Sequence, residues 1–231
     1  MLADAGLLSI PCEVPPYRLS GTVYGTLLNH RSALQMLGDT VNQPPYGAAP
    51  SAPVLYIKPR NTLARTGDVV RLPVGTPELE VGACLGLVIG RAACRVSAAQ
   101  ALDYVAGYLI VADVSIPHAS FHRPSIRHKA RDGYCALGPA VTARAAIANP
   151  DALTIRAYLD DTLVQSSSTA DLIRPTARLL ADVTEFMTLA PGDVLAVGAA
   201  APAPRIRPGQ ALRIEIDGLG SLCNPFLDAA A

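Results

Sequence analysis

A mixed α+β, β-rich fold is predicted for this 231-residue chain by three observations. Twenty prolines and 18 glycines are spread along it and cut it into short pieces, a texture of strands joined by irregular loops and not of a helical bundle. Half of the residues are hydrophobic, enough to fill one core at this length. The apolar pieces are short, as in LGLVIG (85–90) and GYLIVADV (107–114). Residues 21–231 are therefore expected to form a single domain, preceded by an N-terminal extension over 1–20.

The elements are expected in the following order. GTVYGTLLNH (21–30) reads as a strand running into a loop, and SALQML (32–37) as one or two helical turns capped by Ser32. Residues 41–53 are a loop by composition. VLYIKPRNT (54–62) is β-branched and aromatic before a Lys-Pro stop, which places Lys58 at a strand end. ELEVGACLGLVIG (78–90) is a long strand, and its internal glycines point to close approach of another backbone or a ligand. SAAQALDYVAGY (97–108), with Ser97 as cap and Ala98, Leu102 and Val105 at helical spacing, is the strongest helix candidate. It leads into a buried strand, LIVADV (109–114). A long polar and aromatic loop is expected over 115–141, a hairpin turning at Asp160-Asp161 over 153–167, and a helix from Pro175 within 169–189. Strands separated by Pro-Gly turns finish the chain over 191–198 and 207–225.

Composition narrows the function classes. Nineteen basic and 19 acidic residues cancel, so no broad field is available to grip nucleic acid or an anionic membrane. The apolar runs are far shorter than the roughly 20 residues that cross a bilayer. The N-terminus lacks a cationic and then apolar leader, which makes the cytoplasm the expected compartment. Five cysteines (12, 84, 94, 135 and 223) without CxxC spacing read as small buried hydrophobes. GxSxG, GxGxxG, P-loop and HExxH motifs are all absent, so a site built from loops is expected.

Several residues carry candidate chemistry. Lys58 and Lys129 are the only lysines and so stand out as point charges or bases. Asp113 lies within an apolar strand, where a carboxylate needs a partner, a metal or a strand-end position. Glu78 and Glu80 project from one face of a strand and offer part of an oxygen-ligand site, or a solvated strand entry. His118 and His122, with Asp113, form a possible transition-metal set, or are simply exposed histidines. Arg123, Arg127, Arg131 and Lys129 place four cations in nine residues, a pattern suited to a carboxylated small-molecule substrate or to a basic surface loop.

LNHRSALQ, YIKPRNT, LGLVIGR, ALDYVAGYLIVADVS, FHRPSIRHKARDG, TADLIRP, EFMTLAPGD and RPGQALRIEIDGLGSLCNP resemble, in order and spacing, the fumarylacetoacetate hydrolase family over roughly residues 20–228. The resemblance implies a β-roll or barrel with a few short helices. HRPSIRHKARDG together with VAGYLIVADVS is most similar to the branch serving homoprotocatechuate (4-hydroxyphenylacetate) breakdown. That branch decarboxylates 5-carboxymethyl-2-oxo-hex-3-ene-1,7-dioate and isomerises 2-hydroxyhepta-2,4-diene-1,7-dioate.

The family holds Mg²⁺ with a Glu-x-Glu pair and an aspartate. Registered on LVIGR, the pair falls on Gly82 and Cys84 and the aspartate on Asp113. Moving the pair to Glu78 and Glu80 needs a four-residue shift within one strand. The family's lid histidine and glutamate correspond to Ala33 and Met36, its lysine to Lys129, its GTP loop to Gly198, Ala199 and Ala200, and an Arg-Asp pair to Pro117 and His118. The resemblance thus implies a chain that kept the fold, with Asp113 as a remnant ligand and Mg²⁺ weakly held or absent. Asp113 and Lys129 are the expected catalytic residues, and Arg123, Arg131 and Lys58 the expected substrate contacts. The expected partners are further copies of the chain or a homologous subunit; the alternative is a non-catalytic subunit that stabilises its homologue.

Overall fold

The computed structural model describes residues 7–8, 21–118 and 125–229. Fourteen strands and three α-helices are formed among them. In chain order they begin with β1 (Leu7–Leu8), β2 (Val23–Leu27), α1 (Arg31–Leu37), β3 (Val54–Lys58), β4 (Leu63–Arg65), β5 (Val70–Leu72), β6 (Leu79–Ile89) and β7 (Val105–Ser115). There follow α2 (Ile126–Lys129), β8 (Cys135–Ala143), β9 (Thr154–Leu159), β10 (Thr162–Ser168), α3 (Thr176–Phe186), β11 (Val194–Ala196), β12 (Arg205–Ile206), β13 (Ala211–Ile216) and β14 (Gly220–Asp228).

One nine-stranded sheet runs in the order β1-β8-β7-β6-β11-β2-β3, with β12 added to β6 and β4 to β8; a five-stranded sheet runs β10-β9-β13-β14-β5. The central strands of the large sheet are buried on both faces, which is why 79–89 and 105–115 read as near-continuous apolar runs. Alternation divides their side chains. Val81, Ala83, Leu85 and Leu87 of β6, with Ile110, Ala112 and Val114 of β7, join the main core. That core is closed by Ile155, Ile214, Leu222 and Phe226 of the small sheet and by Leu179, Leu180 and Val183 of α3. Cys84, Leu109 and Val111 face the other way, into a smaller cluster with Cys135, Leu137 and Val194. Asp113, two residues beyond Val111, lies on this second face, and the site is built there.

Most expected elements form: β2, β3, β6, the β9–β10 hairpin, α3 and the late strands. Asp160 and Asp161 both take positive φ (48° and 65°), as a two-residue turn matching strand twist requires. The first helix is capped by His30 and not by Ser32: the His30 side chain accepts from the Ser32 amide. Residues 97–108 are not a helix. A single 3₁₀ turn spans Ala101–Tyr104 and β7 begins at Val105. Val105 and Gly107 are poor helix formers, and the eleven-residue β7 gains a full ladder against β6. The expected loop over 115–141 contains α2 and most of β8. Gly138 and Pro139 hide that strand from a sequence reading because they sit where the β7–β8 register shifts, a place where proline is tolerated. Cys84 and Cys135 are buried as expected, but Cys94 and Cys223 are exposed, Cys223 because it points off the outer face of β14. Cys12 lies outside the described residues. No described helix is long and apolar enough to cross a membrane.

Candidate functional site

The only two lysines of the chain converge on one aspartate. Lys58 ends β3, and its Nζ lies 2.7 Å from Asp113 Oδ1. Lys129 ends α2, and its Nζ lies 2.6 Å from Asp113 Oδ2, where the Tyr56 hydroxyl also donates. Tyr56 and Lys58 reach the same carboxylate because they are two apart on one strand and so share a face. The Lys129 ammonium also stands 4.6 Å from the centroid of the Tyr56 ring, within cation–π range.

Lys58 is a structural anchor as well as a counter-ion. Its Nζ donates to the carbonyls of Val114 (2.8 Å), Lys129 (3.0 Å) and Tyr134 (2.8 Å). It thereby ties β7, the end of α2 and the approach to β8 together at one point. Lys58 is 2 % exposed, so it holds the site from behind and does not offer itself to a ligand, contrary to the expectation that it contacts substrate. Burial draws its ammonium below the ordinary lysine value, and Asp113 opposes that shift.

Burial alone would raise the Asp113 carboxyl, but Lys129 and Lys58 outweigh it and hold the group below the usual carboxylate range. The Tyr56 phenol is pushed well above its ordinary value by burial and then by the neighbouring Asp113 charge, so it remains a donor. Cys84 lies deep in the same face with its thiol pushed up by burial, and the Cys135 thiol is pushed up to about 12 for the same reason. Both are neutral at physiological pH.

A cleft opens in front of this cluster. Lys129, Asp113 and Tyr56 form its floor; Leu27, Met36 and Ala199 are among its apolar walls. Thr26 Oγ1, buried and without a hydrogen-bond partner, also lines it. Lys58 and Lys129 against Asp113 make this cluster net positive, and Glu80, the other carboxylate lining the cleft, is paired with Arg205. The arrangement therefore suits an anion with an apolar body.

Gly25 makes the geometry possible. It pairs with Tyr56 across β2 and β3, and a Cβ placed on it would fall inside the Tyr56 ring. Gly25→Ala is expected to swing Tyr56 away from Asp113 and to cost about 1–3 kcal/mol, as overpacking of a core does. Thermal unfolding of Gly25→Ala beside Tyr56→Phe checks this: the glycine variant loses more, because it displaces the whole ring and not only its hydroxyl.

The remaining expected residues fall as follows. His118 lines the cleft, its Nδ1 hydrogen-bonds the Ile116 carbonyl (2.9 Å), and its ring stacks on His128 with centroids 4.9 Å apart. His122 and Arg123 lie outside the described residues. Arg131 does not line the cleft; its Nε donates to the Arg127 carbonyl. Glu80 lines the cleft and Glu78 does not, and both are paired with Arg205, at 2.8 and 2.9 Å respectively. Gly82 lies directly across from Asp113 on β6, in register with it. No group of three His, Cys, Asp or Glu side chains that would hold a metal ion occurs among the described residues; the set of Asp113, His118 and His122 includes a residue outside them. Tyr56 was not among the expected site residues, although its position two before Lys58 on a strand was a usable signal.

Comparison with known proteins agrees with this architecture. The 4-hydroxyphenylacetate degradation bifunctional isomerase/decarboxylase of Escherichia coli is 39 % identical over 210 residues, which are 91 % of this chain and 48 % of that protein. The chain thus spans about half the length of this and a second such curated relative that it matches. The crystal structure of 5-carboxymethyl-2-hydroxymuconate delta-isomerase from Mycobacterium smegmatis superposes with a TM-score of 0.79 at 26 % identity, covering 98 % of this chain and 83 % of that one. Maleylpyruvate hydrolase from Sphingobium sp. SYK-6, solved in complex with manganese(II) and pyruvate, gives 0.75 at 25 % identity over 90 % of this chain and 71 % of its own. The match to the fumarylacetoacetate (FAA) hydrolase C-terminal family runs through residues 22–227, from β2 to the end of β14, and on that match the chain belongs to this family.

Proposed function

We propose that this chain is a component of the decarboxylase/isomerase that acts on 5-carboxymethyl-2-oxo-hex-3-ene-1,7-dioate and 2-hydroxyhepta-2,4-diene-1,7-dioate in 4-hydroxyphenylacetate breakdown. The observation that carries the reading is the Lys129-bearing cluster on the floor of a cleft with apolar walls at Leu27, Met36 and Ala199, in a chain 39 % identical to an isomerase/decarboxylase of that pathway. Both substrates are dianionic or trianionic acids with an unsaturated carbon body, which matches cationic floor and apolar wall.

Lys129 is the residue that meets the substrate. Its ammonium, oriented by Asp113 and by the Tyr56 ring, stabilises the negative charge that grows on the 2-oxo oxygen as a proton moves or CO₂ leaves. Apolar walls lower the local dielectric and strengthen that interaction. Asp113, already accepting from Tyr56 and Lys129, holds Lys129 in place and is a weak base. Arg123, outside the described residues, is the remaining candidate for a carboxylate contact, and a homologous subunit or a second copy of the chain is the partner. Catabolism of this kind belongs in the cytoplasm.

A second reading is favoured by the glycine and thiol at the positions aligned with the family's glutamates: the chain stabilises a catalytic homologue and turns over nothing itself. The two are separated by following loss of the diene absorbance of 2-hydroxyhepta-2,4-diene-1,7-dioate, and release of CO₂ from the tricarboxylate. The purified chain is assayed alone and mixed with a homologue bearing Glu-x-Glu, with melting curves taken in parallel. Turnover that requires this chain, and a substrate-dependent rise in its melting temperature, support the leading reading. Neither turnover nor a rise in any mixture overturns it.

A further inference from the structure

We infer that this site carries its cation internally: the ammonium groups of Lys58 and Lys129 flank the two oxygens of Asp113 and stand where a divalent metal ion beside it would have to sit. The inference deepens the reading above by giving the charge that neutralises the bound acid to the chain itself.

The first argument is the place already taken by cationic groups around the carboxylate. Asp113 Oδ2 accepts from both the Tyr56 hydroxyl and Lys129 Nζ, and Oδ1 faces Lys58 Nζ at 2.7 Å. Oδ1 accepts no hydrogen bond, because the three Lys58 protons go to backbone carbonyls, but a metal ion bound to it would stand against that ammonium. Nor are the ammonium groups free to retreat. Lys58 is fixed by three backbone carbonyls, and the Lys129 main chain is one of them. Displacing Lys58 would break the joint between β7, α2 and β8.

The second argument is space. Across from Asp113, Gly82 supplies no ligand, and a Cβ built there would stand 2.9 Å from the Ala199 methyl, closer than such atoms approach. The segment carrying Ala199 has closed over the strand at this point, so the room an acidic side chain would use is filled by protein. Cys84, two residues on along the same face, is fully buried under the same segment.

The third argument is charge. A divalent ion beside Asp113 would stand among two ammonium groups, with Glu80, the other carboxylate lining the cleft, already paired with Arg205, whereas hard cations collect several oxygen ligands of opposite charge. The same cluster attracts an anion. The site has the electrostatic sign of a substrate pocket without needing a metal to reverse it.

The test uses the whole chain with Mn²⁺ alone and with oxalate, a planar dianion resembling the enolate of a 2-oxo acid. The electron paramagnetic resonance signal of free Mn²⁺ is expected to be undiminished when protein is added, with the melting temperature the same in Mn²⁺, Mg²⁺ or EDTA. Oxalate is expected to raise the melting temperature by the same amount with and without EDTA, and the rise is expected to vanish in Lys129→Met. One Mn²⁺ bound per chain and lost in Asp113→Asn overturns the inference, as does an oxalate effect that EDTA abolishes. Mn²⁺ remaining free with no response to oxalate supports the internal cation and counts against the carboxylate-substrate reading, so the two failures are distinguishable.

Discussion

Asp113→Ala lowers the melting temperature by roughly 10 °C. The variant leaves two buried ammonium groups, those of Lys58 and Lys129, facing each other with no carboxylate between them. Breaking a buried ion pair by removing one partner costs about 3–5 kcal/mol, and about 1 kcal/mol moves the midpoint of a domain this size by about 2–4 °C. Asp113→Asn, which keeps the volume and removes only the charge, is expected to lose most of the same amount. Wild-type stability in Asp113→Asn, measured by calorimetry, would show that the two lysines do not depend on this carboxylate. Acid adds an independent check. The folded-state carboxyl is held below its unfolded value, so its contribution is complete above about pH 4 and is lost as pH falls through the lower folded value. The acid limb of the stability curve should accordingly be shallower in Asp113→Asn than in the wild type.

Lys129→Met lowers kcat/KM by about 10²–10³-fold in whichever assembly turns the substrate over, the loss expected when one preorganised donor to a developing oxyanion is removed. It leaves the fold nearly intact, because Asp113 retains Lys58 and Tyr56 and the cluster becomes neutral. Lys58→Met is the instructive contrast. It strands the carbonyls of Val114, Lys129 and Tyr134 together with one edge of Asp113, and is expected to unfold the site before activity can be read. Two lysines bound to one aspartate thus give opposite signatures: a kinetic loss for the one at the cleft and a stability loss for the one behind it. Comparable melting losses in both variants would refute that division.

Much of this arrangement was legible in the sequence, and the illegible parts have physical causes. The rarity of lysine singled out Lys58 and Lys129, and the cost of burying a carboxylate singled out Asp113. That the three meet was hidden, since it depends on β3, β7 and α2 coming together over separations of 55 and 16 residues from Asp113 (113 − 58 and 129 − 113). Long strands such as β6 were readable from unbroken apolar character, whereas β8 was masked by Gly138 and Pro139 at its register shift. Residues 97–108 misled because a 3₁₀ turn followed by a strand places Ala101 and Val105 on the core, as a helix would. Tyr56 escaped notice because an aromatic residue in a strand is usually core, and only the bare Gly25 opposite lets its ring lie flat and its hydroxyl reach the carboxylate.

Helix α1 buries none of its seven residues, yet Ala33 and Met36 from it line the cleft. It is moored at its N-terminal end, where Ser32 Oγ accepts the Ala201 amide and Asn29 bonds the Arg174 and Val197 carbonyls. A wall that buries none of its own residues, between that anchor and the buried Val41 that follows it, can shift at small free-energy cost while the strands bearing Lys58 and Asp113 stay registered. Opening of the cleft on that side would then leave the core and the buried charge cluster behind it in place.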